Sequence, residues 1–105
     1  MRILFDQGVP APLRRALPDH TVSTAYEMGW AELTNGDLLK QANAAFDVLI
    51  TTDQGIRFQQ NLAGLHLAII VLPTTDWSTI QRHQQAIIAV INDMRPGQVL
   101  APNWY

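Results

Sequence analysis

At 105 residues, 48% of them hydrophobic and 15% charged, the chain is long enough for one buried core and too short for two, and its composition argues against disorder. A net charge of −2 and a pI of about 5.8 exclude an overall basic field, so a polynucleotide partner needs a local patch or a bridging cation. The absence of cysteine removes disulfides, thiolate zinc sites and thiol nucleophiles together and is compatible with a reducing compartment.

After Met1-Arg2 only Ile3-Leu4-Phe5 is apolar before Asp6, which is not the pattern of a secretory signal. The longest apolar run, Leu67 to Leu72, is too short to cross a bilayer. The sequence therefore predicts a single domain over residues 1–105, cytosolic and without a membrane partner.

In chain order, Arg2 to Phe5 reads as a first strand. A helix is expected from about Val9 to Leu17, with Pro10 and Pro12 near its start, where a missing N–H costs little, and Pro18-Asp19 ending it. His20 to Thr24 is β-branched enough for a second strand; Ala25 to Met28 suits a short helical turn stopped by Gly29, and Trp30 to Thr34 a loop. Asn35 or Asp37 is expected to cap a helix reaching about Ala45, whose apolar face carries Leu38, Leu39 and Ala42.

Val48 to Thr51 is a third strand. Gln54 to Leu62, interrupted by Gly55, suits an amphipathic turn or two through Ile56, Phe58, Gln59 and Leu62. Leu67 to Leu72 is the continuous apolar run of a strand buried on both faces of a parallel sheet, ended by Pro73. From Asp76 one long helix is expected to run to about Met94, with Ile80, Ile87, Ile91 and Met94 near helical spacing and Pro96-Gly97 as terminator, before an edge strand at Gln98 to Leu100. Strands alternating with helices over short connections predict an α/β layered fold with a mostly parallel sheet of four to five strands.

Three aspartates stand where a strand-like run gives way to a turn: Asp6, Asp37 and Asp53. In an open α/β sheet the ligand crevice lies beyond the carboxyl ends of the strands, so acids at those ends can converge although distant in sequence. Converged carboxylates require a compensating proton or cation, and a hard divalent ion prefers oxygen ligands. Helix capping accounts for any one of the three taken alone. His20, His66 and His83 are scattered, with no pair at the spacing of a helical zinc site, and His83 falls on the apolar stripe of the last helix, where a packed, hydrogen-bonded ring is expected.

The opening Ile3-Leu4-Phe5-Asp6 with its following proline, the Gly36-Asp37-Leu38-Leu39 helix start, and Asp47-Val48-Leu49-Ile50-Thr51-Thr52-Asp53 together resemble a compact bacterial PIN-like domain, the ribonuclease fold of VapC-type toxins. The resemblance spans Met1 to about Val99, with the three acidic motifs in the expected order. It implies a three-layer α/β/α fold in which Asp6, Asp37 and Asp53 hold Mg²⁺ or Mn²⁺ for hydrolysis of RNA. It further implies a toxin with a small antitoxin partner, and a homodimer.

Within that resemblance Thr52, or Thr51, would orient a water through its hydroxyl, and Arg57 would contact a phosphate. The sequence departs from the pattern where short members carry an acid and an amide after the first aspartate, since Gln7-Gly8 stand here. Glu27 is the best-placed fourth acid and Asp76 the next. Two other functional classes remain open: a catalytically inactive PIN-like module that binds a partner, and a receiver-like phosphoacceptor domain. Against the latter, the only lysine is Lys40, far from the late position such domains use.

Overall fold

The structure, a computed structural model, describes residues 1–58 and 62–104. Five strands form one all-parallel sheet: β1 (Arg2–Phe5), β2 (Thr21–Thr24), β3 (Val48–Thr51), β4 (Ala68–Val71) and β5 (Val99–Leu100), in the spatial order β2-β1-β3-β4-β5. Helix α1 (Asn35–Ala45) carries the chain from β2 to β3, and α2 (Trp77–Arg82) with α3 (Gln84–Asp93) carries it from β4 to β5. Among the described residues no helix is long and apolar enough to cross a membrane.

Side-chain alternation splits the core into two sheets of contact, because successive residues of a strand point to opposite faces. Ile3, Phe5, Val48, Ile50 and Ile70 join Leu13, Leu17, Ile80, Ile87 and Ile91 on one face. Leu4, Leu49, Ile69 and Val71 join Leu38, Leu39, Ala42, Phe46 and Ile56 on the other. The sheet is thus covered on both sides, giving the expected α/β/α layers. All of β3 and β4 is buried, as is β1 from Ile3 onward, whereas β2 and β5 at the edges are partly open.

Three local expectations are corrected. The segment after β1 is a 3-10 turn over Ala11–Ala16, not an α-helix from Val9: Pro10 is extended, Pro12 has no N–H to give, and Leu17 before Pro18 is held out of the helical region. Gln54–Phe58 is likewise a 3-10 turn, with another at Leu62–Gly64; the Gln59 expected between them lies outside the described residues. The long helix after Asp76 breaks at His83, whose ring nitrogen Nδ1 lies 2.8 Å from the Thr79 carbonyl and whose ring stacks on Trp104 at 4.4 Å.

The cap of α1 also differs from expectation. Thr34 is the N-cap, its hydroxyl accepting the Asp37 N–H at 3.3 Å, so Asn35 and Asp37 are the first and third helical residues. Thr34→Ala should lower stability by about 1 kcal/mol, read as a smaller urea midpoint with an unchanged slope; an equal loss for Asn35→Ala through the helix alone would reassign the cap.

Candidate functional site

Double winding creates the crevice. The chain leaves β1 for β2 on one side and returns through α1 to β3 on the other, so the carboxyl ends of β1 and β3 flank the topological switch point. Phe5 pairs with Ile50, and the Asp6 N–H continues the ladder to the Ile50 carbonyl at 2.9 Å. Asp6 is therefore set against Thr51 by sheet register alone.

Thr51 is fully buried, and a buried hydroxyl must find partners within the fold. Its Oγ1 donates to Asp6 Oδ2 at 2.8 Å and accepts the Asp53 N–H at 3.1 Å. The other Asp6 oxygen accepts the Gln7 N–H at 2.8 Å. Asp53 is held on both sides as well: Oδ2 accepts from Asn35 Nδ2 at 2.6 Å and Oδ1 accepts the Gly55 N–H at 2.9 Å. One hydroxyl thus fixes the two acids of neighbouring strands, and each carboxylate oxygen keeps lone-pair capacity beyond the single bond it accepts.

Neighbouring loops are tied to this edge. Gln7 Nε2 donates to the Ala31 carbonyl at 2.6 Å, drawing the loop before α1 to the end of β1. Gln54 Nε2 donates to the Leu72 carbonyl at 2.7 Å, joining the ends of β3 and β4. Gly8 presses its backbone on Thr52: a Cβ there would lie 2.0 Å from the Thr52 hydroxyl oxygen and 3.3 Å from its Cβ.

The three aspartates are not gathered into one group. Among the described residues no set of three or more histidine, cysteine, aspartate or glutamate side chains is arranged to hold a metal ion. Asp37 is exposed on the first turn of α1, and the side chain that reaches Asp53 from this helix is Asn35. The reason is helical geometry: residues two apart point about 200° from each other, so a helix start that aims Asn35 at β3 turns Asp37 away.

The remaining sequence-derived residues fall as follows. Thr52 is half-buried beneath Gly8, so the hydroxyl within the network is that of Thr51. Arg57 is exposed on the 3-10 turn after β3, its guanidinium 5.5 Å from the centre of the Phe58 ring. Glu27 pairs with Arg14 and accepts the Thr24 N–H at 2.8 Å, a clasp between the end of β2 and the 3-10 turn after β1. Asp76 caps α2, accepting the Thr79 hydroxyl at 2.7 Å and its N–H at 3.0 Å. Both acids are held below their ordinary carboxylate range, Glu27 chiefly by the Arg14 hydrogen bond and then the Thr24 N–H, Asp76 by the Thr79 hydroxyl and then its N–H.

Sequence reasoning treated Asn35 only as a cap and Gln7 only as a lost acid. The polar quartet Thr34-Asn35-Gly36-Asp37 at a helix start on the carboxyl edge was the available signal for Asn35. No family model, curated protein or solved structure matches the chain, so the site rests on its own geometry.

Two outcomes are expected. Gly8→Ala overfills the contact with a stiff β-branched side chain and should cost about 1–3 kcal/mol in urea unfolding; a neutral result would show that the loop is not pressed on Thr52. Glu27 has a depressed folded pKa, so its contribution is present above its ordinary value of 4.5 and disappears as pH falls through the lower folded value. The melting-temperature gap between wild type and Glu27→Gln should accordingly be open at pH 6 and closed near the acid limit; a gap that widens on acidification would reverse the sign.

Proposed function

We propose that the chain is a metal-dependent ribonuclease of the PIN-like kind, hydrolysing RNA phosphodiester bonds at the switch point of the sheet. The observation that carries this reading is the pair Asp6 and Asp53, on adjacent strand ends, joined through one buried Thr51 hydroxyl that bonds the Asp6 carboxylate and the Asp53 backbone N–H. A toxin role with a small antitoxin partner, homodimerisation and a cytosolic setting belong to the same reading and rest on the motif resemblance.

The donor chemistry fits a hard divalent cation. Asp6 and Asp53 offer carboxylate oxygens only, each with spare lone-pair capacity, and Mg²⁺ is commonly held by one or two carboxylates while waters and substrate phosphate complete its shell. When bound, such an ion neutralises phosphoryl charge and lowers the pKa of a water. The protein's own share is preorganisation: Thr51 and the Gln7 N–H fix Asp6, while Asn35 and the Gly55 N–H fix Asp53. Asp37, exposed on the first turn of α1, has no part in these bonds.

A second reading has one observation in its favour. The strand order β2-β1-β3-β4-β5 is that of flavodoxin-like sheets, and Asp53 stands two residues past the end of β3, near where a phosphoacceptor would. Both Asp53 oxygens are already engaged by Asn35 and Gly55, and the single lysine, Lys40, lies exposed on α1. The nuclease reading is preferred because these bonds orient Asp53 as a ligand, and no lysine stands near it to contact a phosphoryl group among the described residues.

Single-stranded RNA incubated with Mn²⁺ should be cleaved, with cleavage abolished by EDTA and reduced on the order of 100-fold by Asp6→Asn or Asp53→Asn, about 2.7 kcal/mol of transition-state stabilisation. Asp37→Asn should cost markedly less. Cleavage surviving in EDTA and in both variants would trace to a contaminant and remove the proposal. A melting temperature raised by Mn²⁺ without any cleavage would favour the inactive, partner-binding module, and Asp53 modified by acetyl phosphate would favour the phosphoacceptor.

A further inference from the structure

Asp6 is also one wall of a trough on the β1–β2 side of the sheet, whose lining does not include Asp53. A cavity of about 550 Å³ is lined by Asp6, Gln7, Val9, Pro10, Thr24 and Tyr26, among others. A second, of about 460 Å³, is lined by Ala11, Pro12, Arg14, Arg15, Thr24 and Glu27. They share Ala11 and Thr24, so the two adjoin. From one end to the other the chemistry passes from carboxylate, over an apolar floor and one aromatic ring, to two guanidinium groups.

The aromatic ring is the unusual member. Tyr26 is 83% exposed, in a protein whose other large apolar side chains are mostly interior. Its backbone is nevertheless fixed: the Ala25 N–H bonds the Phe5 carbonyl at 2.8 Å, the Trp30 N–H the Ala25 carbonyl at 2.8 Å, and the Gly29 N–H the Tyr26 carbonyl at 3.0 Å. Gly29 closes this turn at φ 75°, a conformation that favours glycine. A ring left in solvent on a rigid turn beside the acidic crevice is a preorganised stacking surface.

We propose that this trough takes the single-stranded RNA that flanks the scissile phosphate, one base stacking on Tyr26 and the next backbone phosphates running toward Arg15. The proposal rests on the ribonuclease reading and adds the residues that seat the strand beside the cleavage point. Base faces are free for stacking only in unpaired RNA, and stacking is tolerant of sequence. Arg14 is already paired with Glu27, which leaves Arg15, exposed and in no ion pair among the described residues, as the phosphate contact.

The test measures binding apart from cleavage. A fluorescein-labelled single-stranded oligoribonucleotide is titrated with the wild-type protein in EDTA and followed by anisotropy, beside the same sequence as a duplex. Single strands should bind more tightly than duplex. Tyr26→Ala should weaken binding roughly 10- to 100-fold while Tyr26→Phe retains it, and Arg15→Ala should flatten the dependence of log K on log salt by about 0.7, one phosphate contact. Because both side chains are exposed, an unchanged melting temperature confirms that each variant is folded.

Equal affinity for duplex, no measurable single-strand binding, or a Tyr26→Ala variant that binds like wild type overturns the trough. Those results leave Mn²⁺-dependent cleavage untouched. Conversely, Tyr26-dependent binding in a protein that never cleaves RNA upholds the trough while the ribonuclease reading fails.

Discussion

A hydroxyl with no access to water sits at the end of the most enclosed strand, and the site is arranged around satisfying it. Thr51 has one proton to give and lone pairs to fill, and an unpaired buried polar group costs about 1–3 kcal/mol. The proton goes to Asp6 and the lone pair to the backbone of Asp53. Alternation places Thr51 on the same face as Leu49, and Asp6 on the same face as Leu4, which is the face covered by α1. That is why the start of α1, through Asn35, is the element that completes the shell of Asp53. Structural and functional demands on Thr51 are therefore one demand: the bond that makes its burial tolerable also fixes the carboxylate.

The topology explains why this occurs at only one place. Every crossover in the sheet joins parallel strands, and between β1 and β3 the lateral direction of the strand order reverses. Elsewhere along the carboxyl edge the crossovers progress to the same side. The gap at the switch point admits loops from both layers, and Gln7, Gly8 and Gln54 pin those loops without filling it. Asp6, as the first residue beyond β1, borders both the network with Asp53 and the trough past Tyr26.

Which features were legible in the sequence follows from whether local pattern or distant contact decides them. β1, β3 and β4 are uninterrupted apolar runs because both their faces are covered, and such runs announce themselves. The break within the last helix could not be read in the same way. His83 carries a helix-compatible spacing, but the break there accompanies its bond to Thr79 and its stacking on Trp104, twenty-one positions away in the chain. The positions of Asp6 and Asp53 at strand ends were visible, whereas the divergence of Asp37 was not. Its direction depends on Thr34 being the cap; shifting the helix start by a single residue would rotate each side chain by about 100°.

Charge supplies the last step. The chain is acidic overall, and on the proposed reading two of its hydrogen-bonded carboxylates, Asp6 and Asp53, face the crevice that the substrate enters. Phosphates approaching Asp6 and Asp53 without a counter-ion meet like charge in a concave, partly desolvated setting, where repulsion is screened least. On the proposed reading a divalent cation and the RNA each remove an obstacle to the other, since the ion neutralises the acids and the phosphate completes the ion's shell. Their binding is then reciprocally coupled, each raising the affinity of the other by the same factor. On that reading strand placement would begin without the ion, because Tyr26 and Arg15 line cavities whose lining does not include Asp53. On the proposed reading, a protein without a basic field would receive an anionic polymer first through stacking and one guanidinium, and draw its phosphate into the acidic crevice when the metal is present.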